Sequence, residues 1–207
     1  LIAAMLLGRL VWGAVSVPVY GFASKSFSWQ IFLANGFEDI EAIATIDICR
    51  RAGIDIKTVS ITGSLDVETA HGIKLQADMT FEEGDFSNAA MLVLPGGIPG
   101  SQYLNDHEGL REVILQHHSN GTYLAAICAA PMVYGNLGLL NGKRATCYPG
   151  FEKFLTEATY TATKVECDGQ FITGKGPGAT FDFAYAIVEL FCGADTAEAL
   201  REGMMYK

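Results

Sequence analysis

Polar and apolar positions along this chain switch repeatedly between a period of two and a period near 3.6. Residues 29–34 form a short apolar run, which predicts a strand. Residues 38–52 carry apolar side chains at 40, 43, 44, 46 and 48, a wide apolar face at helical spacing. That helix closes on Arg50-Arg51-Ala52-Gly53, with cations in the last turn and Gly as a stop signal. Residues 54–61 alternate as a strand, and residues 67–70 and 73–76 flank His71-Gly72 as a hairpin. Residues 91–94 are an unbroken apolar strand ending at Pro95-Gly96-Gly97. A helix over 108–119, a central strand over 123–127, a helix over 129–137 and a strand over 144–148 follow. Residues 164–167 and 171–173 flank Asp168-Gly169, a second hairpin. A long apolar helix over 178–192 and a last helix over 196–205 complete the series.

Strands alternating with helices predict an α/β layered fold with a mostly parallel sheet. Ligands of such sheets bind at the carboxyl ends of the strands. Four groups fall there: Ala34-Asn35-Gly36, Pro95-Gly96-Gly97, Cys128 and Tyr148-Pro149. They are expected to converge on one pocket.

Composition narrows the function. A chain of 207 residues suits one domain with a sizeable core, here residues 29–207. The formal charge of −9 and the absence of a basic stripe argue against a nucleic-acid partner. The five cysteines make no CxxC pair and no zinc spacing, which fits reduced thiols in a cytoplasmic enzyme. Cys49, Cys147, Cys167 and Cys192 read as core fillers, and His71, His107, His117 and His118 as surface or hairpin residues. No metal site is expected from their spacing.

Residues 1–28 depart from this pattern, because 1–22 are almost wholly apolar with Arg9 as the lone charge. The favoured reading is the tail of an upstream membrane segment or a mis-set start. An anchor, a signal peptide and an amphipathic element are the other readings. Membrane contact is expected only if this stretch is a genuine anchor.

The chemistry centres on Ala125-Ala126-Ile127-Cys128-Ala129-Ala130-Pro131. An apolar strand ends abruptly in one cysteine, and small residues then open a helix. Backbone N–H groups and the positive end of a helix dipole favour thiolate there. An ordinary cysteine has a pKa of about 8.5, and lowering it by about 3 units takes roughly 4 kcal/mol. One helix start supplies roughly 0.3–2 kcal/mol, so other groups must contribute.

Four segments then carry a resemblance: Leu33-Ala34-Asn35-Gly36-Phe37-Glu38-Asp39-Ile40-Glu41, Val93-Leu94-Pro95-Gly96-Gly97, the cysteine segment, and Gly176-Pro177-Gly178-Ala179-Thr180-Phe181-Asp182-Phe183-Ala184. In order and spacing they resemble the ThiJ/PfpI superfamily, in the branch of the parkinsonism-associated deglycase and its bacterial relatives. The resemblance implies a flavodoxin-like three-layer sandwich, related to class I glutamine amidotransferases, and a homodimer. It makes Cys128 the nucleophile and Glu41 the protonated carboxyl that contacts its sulfur. It makes Gly96, Gly97 and Ala129 oxyanion or substrate-binding positions, and it puts Asp47 and Arg51 near the dimer interface. By spacing alone, Asp47 and Arg51 are also an i,i+4 ion pair. Tyr148 stands where some members have the histidine of a His-Pro pair, and is expected to donate a hydrogen bond to a substrate oxygen. Ala129 stands where the protease-like branch has histidine, so protease chemistry is not expected.

The implied function is a cofactor-free, cysteine-dependent glyoxalase or deglycase acting on reactive 2-oxoaldehydes or their adducts. The alternative is a redox sensor or chaperone whose Cys128 is oxidised. Thiazole monophosphate biosynthesis is a further family label, but no phosphate loop or thiazole site accompanies it.

Overall fold

Side-chain alternation along the central strands assigns each apolar residue to one of two layers. In a computed structural model, which describes residues 28–206, the elements run as follows: β1 Ser28–Leu33, α1 Asp39–Arg51, β2 Ile56–Ser60, β3 Asp66–Glu68, β4 Lys74–Gln76, β5 Met79–Thr80, β6 Ala89–Leu94, α2 Gly100–Asp106, α3 Glu108–Ser119, β7 Tyr123–Ile127, α4 Pro131–Asn136, β8 Arg144–Ala145, β9 Thr159–Tyr160, β10 Val165–Asp168, β11 Phe171–Gly174, α5 Thr180–Cys192 and α6 Ala194–Gly203. The readings placed above on residues 1–27 lie outside the described residues.

Seven strands form one sheet in the order β10-β11-β7-β6-β1-β2-β5, parallel except for the β10–β11 hairpin. Trp29, Ile31 and Leu33 of β1, Met91 and Val93 of β6, and Ala125 and Ile127 of β7 pack with α1 and α5. Their neighbours Phe32, Leu92, Leu94, Leu124 and Ala126 pack on the other face with α2, α3 and α4. Helix α6 covers α5 through Tyr185, Val188 and Ala197. This is the expected flavodoxin-like three-layer sandwich. No helix among the described residues is long and apolar enough to cross a membrane.

Several expectations shift. The strand expected over 144–148 is only β8, which pairs with β9 in a ribbon outside the central sheet. The Thr146 N–H goes instead to Thr173 Oγ1 at 2.9 Å, and the Tyr148 N–H goes to the Cys128 carbonyl at 2.8 Å. The helix expected from Ala129 starts at Pro131, because residues 128–130 make a tight turn. Proline suits that first helical position, where no N–H is required. Helix α2 and strands β5 and β9 lie outside the expected elements, being too short to show a period. Cys167 is exposed and Cys192 half-buried rather than core. His117 is buried, with Nε2 at 2.8 Å from the Phe86 carbonyl.

Candidate active site

Three neighbouring strands, β7, β6 and β1, end side by side, and the loops after them build the site. After β7, Cys128 adopts φ +66°, a left-handed conformation that a non-glycine residue holds at roughly 1–3 kcal/mol of strain. Two hydrogen bonds fix it. Its N–H donates to the Gly174 carbonyl at 2.9 Å, and its carbonyl accepts from the Tyr148 N–H at 2.8 Å. The side chain is 8% exposed, facing the ends of β6 and β1.

After β6, Gly96 and Gly97 approach too closely for side chains. A Cβ on Gly96 would lie 2.5 Å from Cys128 Cβ, 2.5 Å from Glu41 Oε2 and 3.0 Å from Cys128 Sγ. Gly97 has φ +93°, and a Cβ there would lie 2.4 Å from the Glu38 nitrogen. After β1, Glu38 caps α1, its Oε2 accepting from the Glu41 N–H at 2.8 Å. The Glu38 N–H donates to the Gly96 carbonyl at 2.9 Å, tying the two loops together. These bonds hold Glu41 fully buried on the first turn of α1, with Oε2 accepting from the Gly96 N–H at 2.8 Å. Its Oε1 has no protein partner, and the carboxyl lies beside the Cys128 sulfur.

Electrostatics then set the proton inventory. Burial, aided by the nearby Glu38 charge, pushes the Glu41 carboxyl up to about 7, against the opposing bonds from Cys128 and Gly96. Burial also pushes the Cys128 thiol up, and the Glu41 charge adds to this, while the Gly97 and Ala129 amides pull it down. This reverses the direction expected for a cysteine at a helix start. Helix α4 is six residues long, and its dipole does not outweigh desolvation. Sulfur and carboxyl therefore act as one coupled acid, in which a second negative charge is strongly opposed. With Glu41 neutral, the repulsion vanishes and its O–H donates to sulfur, so the thiolate depends on that proton.

The structure thus brings Cys128, Glu41, Gly96, Gly97 and Ala129 together. Gly96, expected as an oxyanion donor, spends its N–H on Glu41. The amides that reach sulfur are those of Gly97 and Ala129. Tyr148 is 46% exposed and packs its ring beside Gly176, where a Cβ would lie 3.1 Å from Cδ2. Its backbone, not its hydroxyl, holds the cysteine turn. Asp47 and Arg51 stand apart from the site, further along α1, as an exposed ion pair of 2.8 Å.

One cluster escaped the sequence reading. His71 of the β3–β4 hairpin reaches Asp39 at the start of α1, with Nδ1 to Oδ2 at 2.6 Å, and the Thr69 hydroxyl donates to Asp39 Oδ1 at 2.5 Å. Burial pushes Asp39 up, yet the bonds from Thr69 and His71 prevail and hold it below the ordinary range; His71 is pushed up by its bond to Asp39. Glu38, Asp39 and His71 offer ligand atoms within 4.8 Å of one another, the one metal-sized grouping among the described residues. Both Asp39 oxygens and one Glu38 oxygen already accept hydrogen bonds. Thirty-two residues separate His71 from Asp39, so no local spacing could have signalled the pair.

Residues 29–190 match the family model described as the DJ-1/PfpI family. Protein DJ-1 homolog B of Arabidopsis thaliana is 39% identical over 167 residues, covering 80% of this chain and 38% of that protein. The chain spans less than half the length of the Arabidopsis relatives it matches. The glutathione-independent glyoxalase DJR-1.2 of Caenorhabditis elegans is 29% identical over 165 residues, 79% of this chain and 87% of that protein. A crystal structure of a DJ-1 superfamily protein from Salmonella typhimurium superposes with a TM-score of 0.83 at 34% identity, covering 87% of this chain and 99% of the other.

Proposed function

The chain belongs to the DJ-1/PfpI family, and from that premise we propose that it converts 2-oxoaldehydes such as methylglyoxal to 2-hydroxy acids, without glutathione or another cofactor. The observation that carries this reading is the strained, hydrogen-bonded Cys128 sharing one charge with a buried Glu41 whose pKa is pushed up to about 7. A group poised near neutrality can both give and take a proton. The glyoxalase name of the nematode relative points the same way.

Cys128 Sγ adds to the aldehyde carbon, and the thiol proton passes through Glu41 to the aldehyde oxygen, giving a hemithioacetal. The Gly97 and Ala129 amides, which act on the sulfur, are the donors for the developing oxyanion. Glu41 then takes the hydrogen on that carbon as a proton, and the resulting enediol is reprotonated at the neighbouring carbon. The product is a thioester of the 2-hydroxy acid. Water cleaves the C–S bond, returns the thiol and releases the acid. One carbon is oxidised and its neighbour reduced, so no external redox partner enters.

The test is lactate formation from methylglyoxal in glutathione-free buffer, with Cys128→Ser and Glu41→Gln beside the unaltered chain. Loss of turnover in both variants supports the two roles. An inactive unaltered protein with Cys128 shown to be reduced removes the reading for this substrate.

A second reading has Cys128 oxidised to sulfinate as a signal. It is favoured by the unpartnered Glu41 Oε1, which leaves the neutral carboxyl able to serve a new oxygen on sulfur. A 32 Da gain on Cys128 under mild peroxide, reduced in Glu41→Gln, would support it. A homodimer is also proposed. Ile40 and Ile43, 50% and 42% exposed, lie on the same face of α1 as the Asp47–Arg51 pair and suit a self-complementary contact.

A further inference from the structure

A groove of about 310 Å³ adjoins the cysteine turn. Tyr148, Pro149 and Pro177 give it apolar walls, and Lys164 and Lys175 also line it. Backbone contacts place it beside the cysteine turn. The Tyr148 N–H holds the Cys128 carbonyl, and Gly174, which accepts the Cys128 N–H, lies two residues before Gly176 in the groove wall.

The charges of the groove are unusual for this molecule. The chain carries 23 acidic against 14 basic residues, yet two lysines meet here. Lys164 is neutralised by Asp182, with Nζ to Oδ2 at 3.0 Å. Lys175 Nζ donates to the Ala162 carbonyl at 3.2 Å, and no carboxylate among the described residues lies within ion-pair distance of it. A cation without a carboxylate partner, beside apolar walls and near the cysteine turn, matches a ligand with an apolar middle and an anionic end.

We infer that this groove is a specificity subsite that takes the far end of the substrate, a short aliphatic chain closing in a carboxylate held by Lys175. The inference rests on the reading of Cys128 as a carbonyl-attacking nucleophile, because that carbonyl anchors the near end. The preferred substrate class is then a 2-oxoaldehyde bearing a terminal carboxylate. The chemistry is the same internal redox step, and the product is a 2-hydroxy dicarboxylate.

The experiment compares kcat/KM of the full chain for 4,5-dioxopentanoate and for uncharged 2-oxopentanal, which has the same number of carbons. One charge-assisted contact predicts a preference of about tenfold for the anion, expressed in KM and declining with salt. Lys175→Gln should bring the preference close to unity, Lys175→Arg should retain it, and Lys74→Gln on the distant β4 strand should leave it unaltered. Equal use of the two aldehydes, or a Lys175→Gln effect equal on both, overturns the inference while leaving the enzymatic reading intact. Calorimetric binding of levulinate, an unreactive keto acid, separates the two ideas if neither aldehyde turns over. Levulinate binding that is lost in Lys175→Gln keeps the subsite and removes the proposed reaction. Absence of binding to the unaltered chain removes the subsite.

Discussion

Replacing Glu41 by Gln removes a titration from the protein interior while keeping the side chain's shape. The carboxyl is fully buried, and its pKa rises from 4.5 to about 7 on folding. A raised acid means that the folded state holds the proton more tightly than the unfolded chain does. The stability supplied by the neutral form is complete below pH 4.5 and is lost as the pH climbs through 7. A shift of this size corresponds to about 3 kcal/mol once both states are ionised, of which about 2–3 kcal/mol falls between pH 5 and 8.5. Gln does not titrate, and its carbonyl still accepts from the Gly96 N–H. The assay is urea unfolding from pH 5 to 8.5, comparing Cys128→Ser with Cys128→Ser/Glu41→Gln so that the thiol plays no part. The chain that keeps Glu41 should lose about 2–3 kcal/mol relative to the Gln chain over that window. Parallel profiles, within about 0.5 kcal/mol, would mean that Glu41 ionises normally and that the coupled-acid account of Cys128 is wrong.

Gly97→Ala should destabilise by roughly 2–4 kcal/mol, since φ is +93° and a Cβ meets the Glu38 nitrogen at 2.4 Å; Gly53→Ala, at φ +81° with nothing within 4 Å, should cost about 1 kcal/mol, both read by thermal unfolding. Tyr148→Phe should alter kcat/KM for methylglyoxal by less than about threefold, because the backbone rather than the hydroxyl holds Cys128; a tenfold fall would restore the hydroxyl to the reaction. Asp39→Asn should lower the His71 pKa toward the ordinary histidine value in an NMR titration, and an unmoved midpoint would deny the pair seen at 2.6 Å. Ile43→Asp on the exposed face of α1 should turn a dimer into a monomer in sedimentation, and a monomeric unaltered chain would retire the dimer proposal.

Much of the architecture was legible because it is local. The apolar run at 123–127 is strand β7 residue for residue, and the 108–119 period is helix α3. Both expected hairpins formed, the first turning through residues 69–73 and the second through Gly169-Gln170. The failure over residues 144–148 is tertiary in origin. The 144–148 segment has the composition of a strand, but its donors found better acceptors on Thr173 and Cys128, partners supplied by distant parts of the chain.

The candidate site divides along the same line. Cys128 at the end of an apolar strand and Glu41 on the first turn of a helix follow from order and period alone, because each position depends on its own few neighbours. Their meeting does not. It requires β7, β6 and β1 to lie side by side in the sheet, so that three loops far apart in the chain share one edge. Only that packing decides that Gly96 serves Glu41 rather than a ligand, that Gly97 and Ala129 face the sulfur, and that His71 ties a hairpin to Asp39. It also reverses the expected acidity of Cys128, since desolvation and a neighbouring carboxyl are properties of the folded surroundings, not of the residue. The sequence by itself determined which groups stand at strand ends. The tertiary structure decided which of them are buried together, and so where the protons reside.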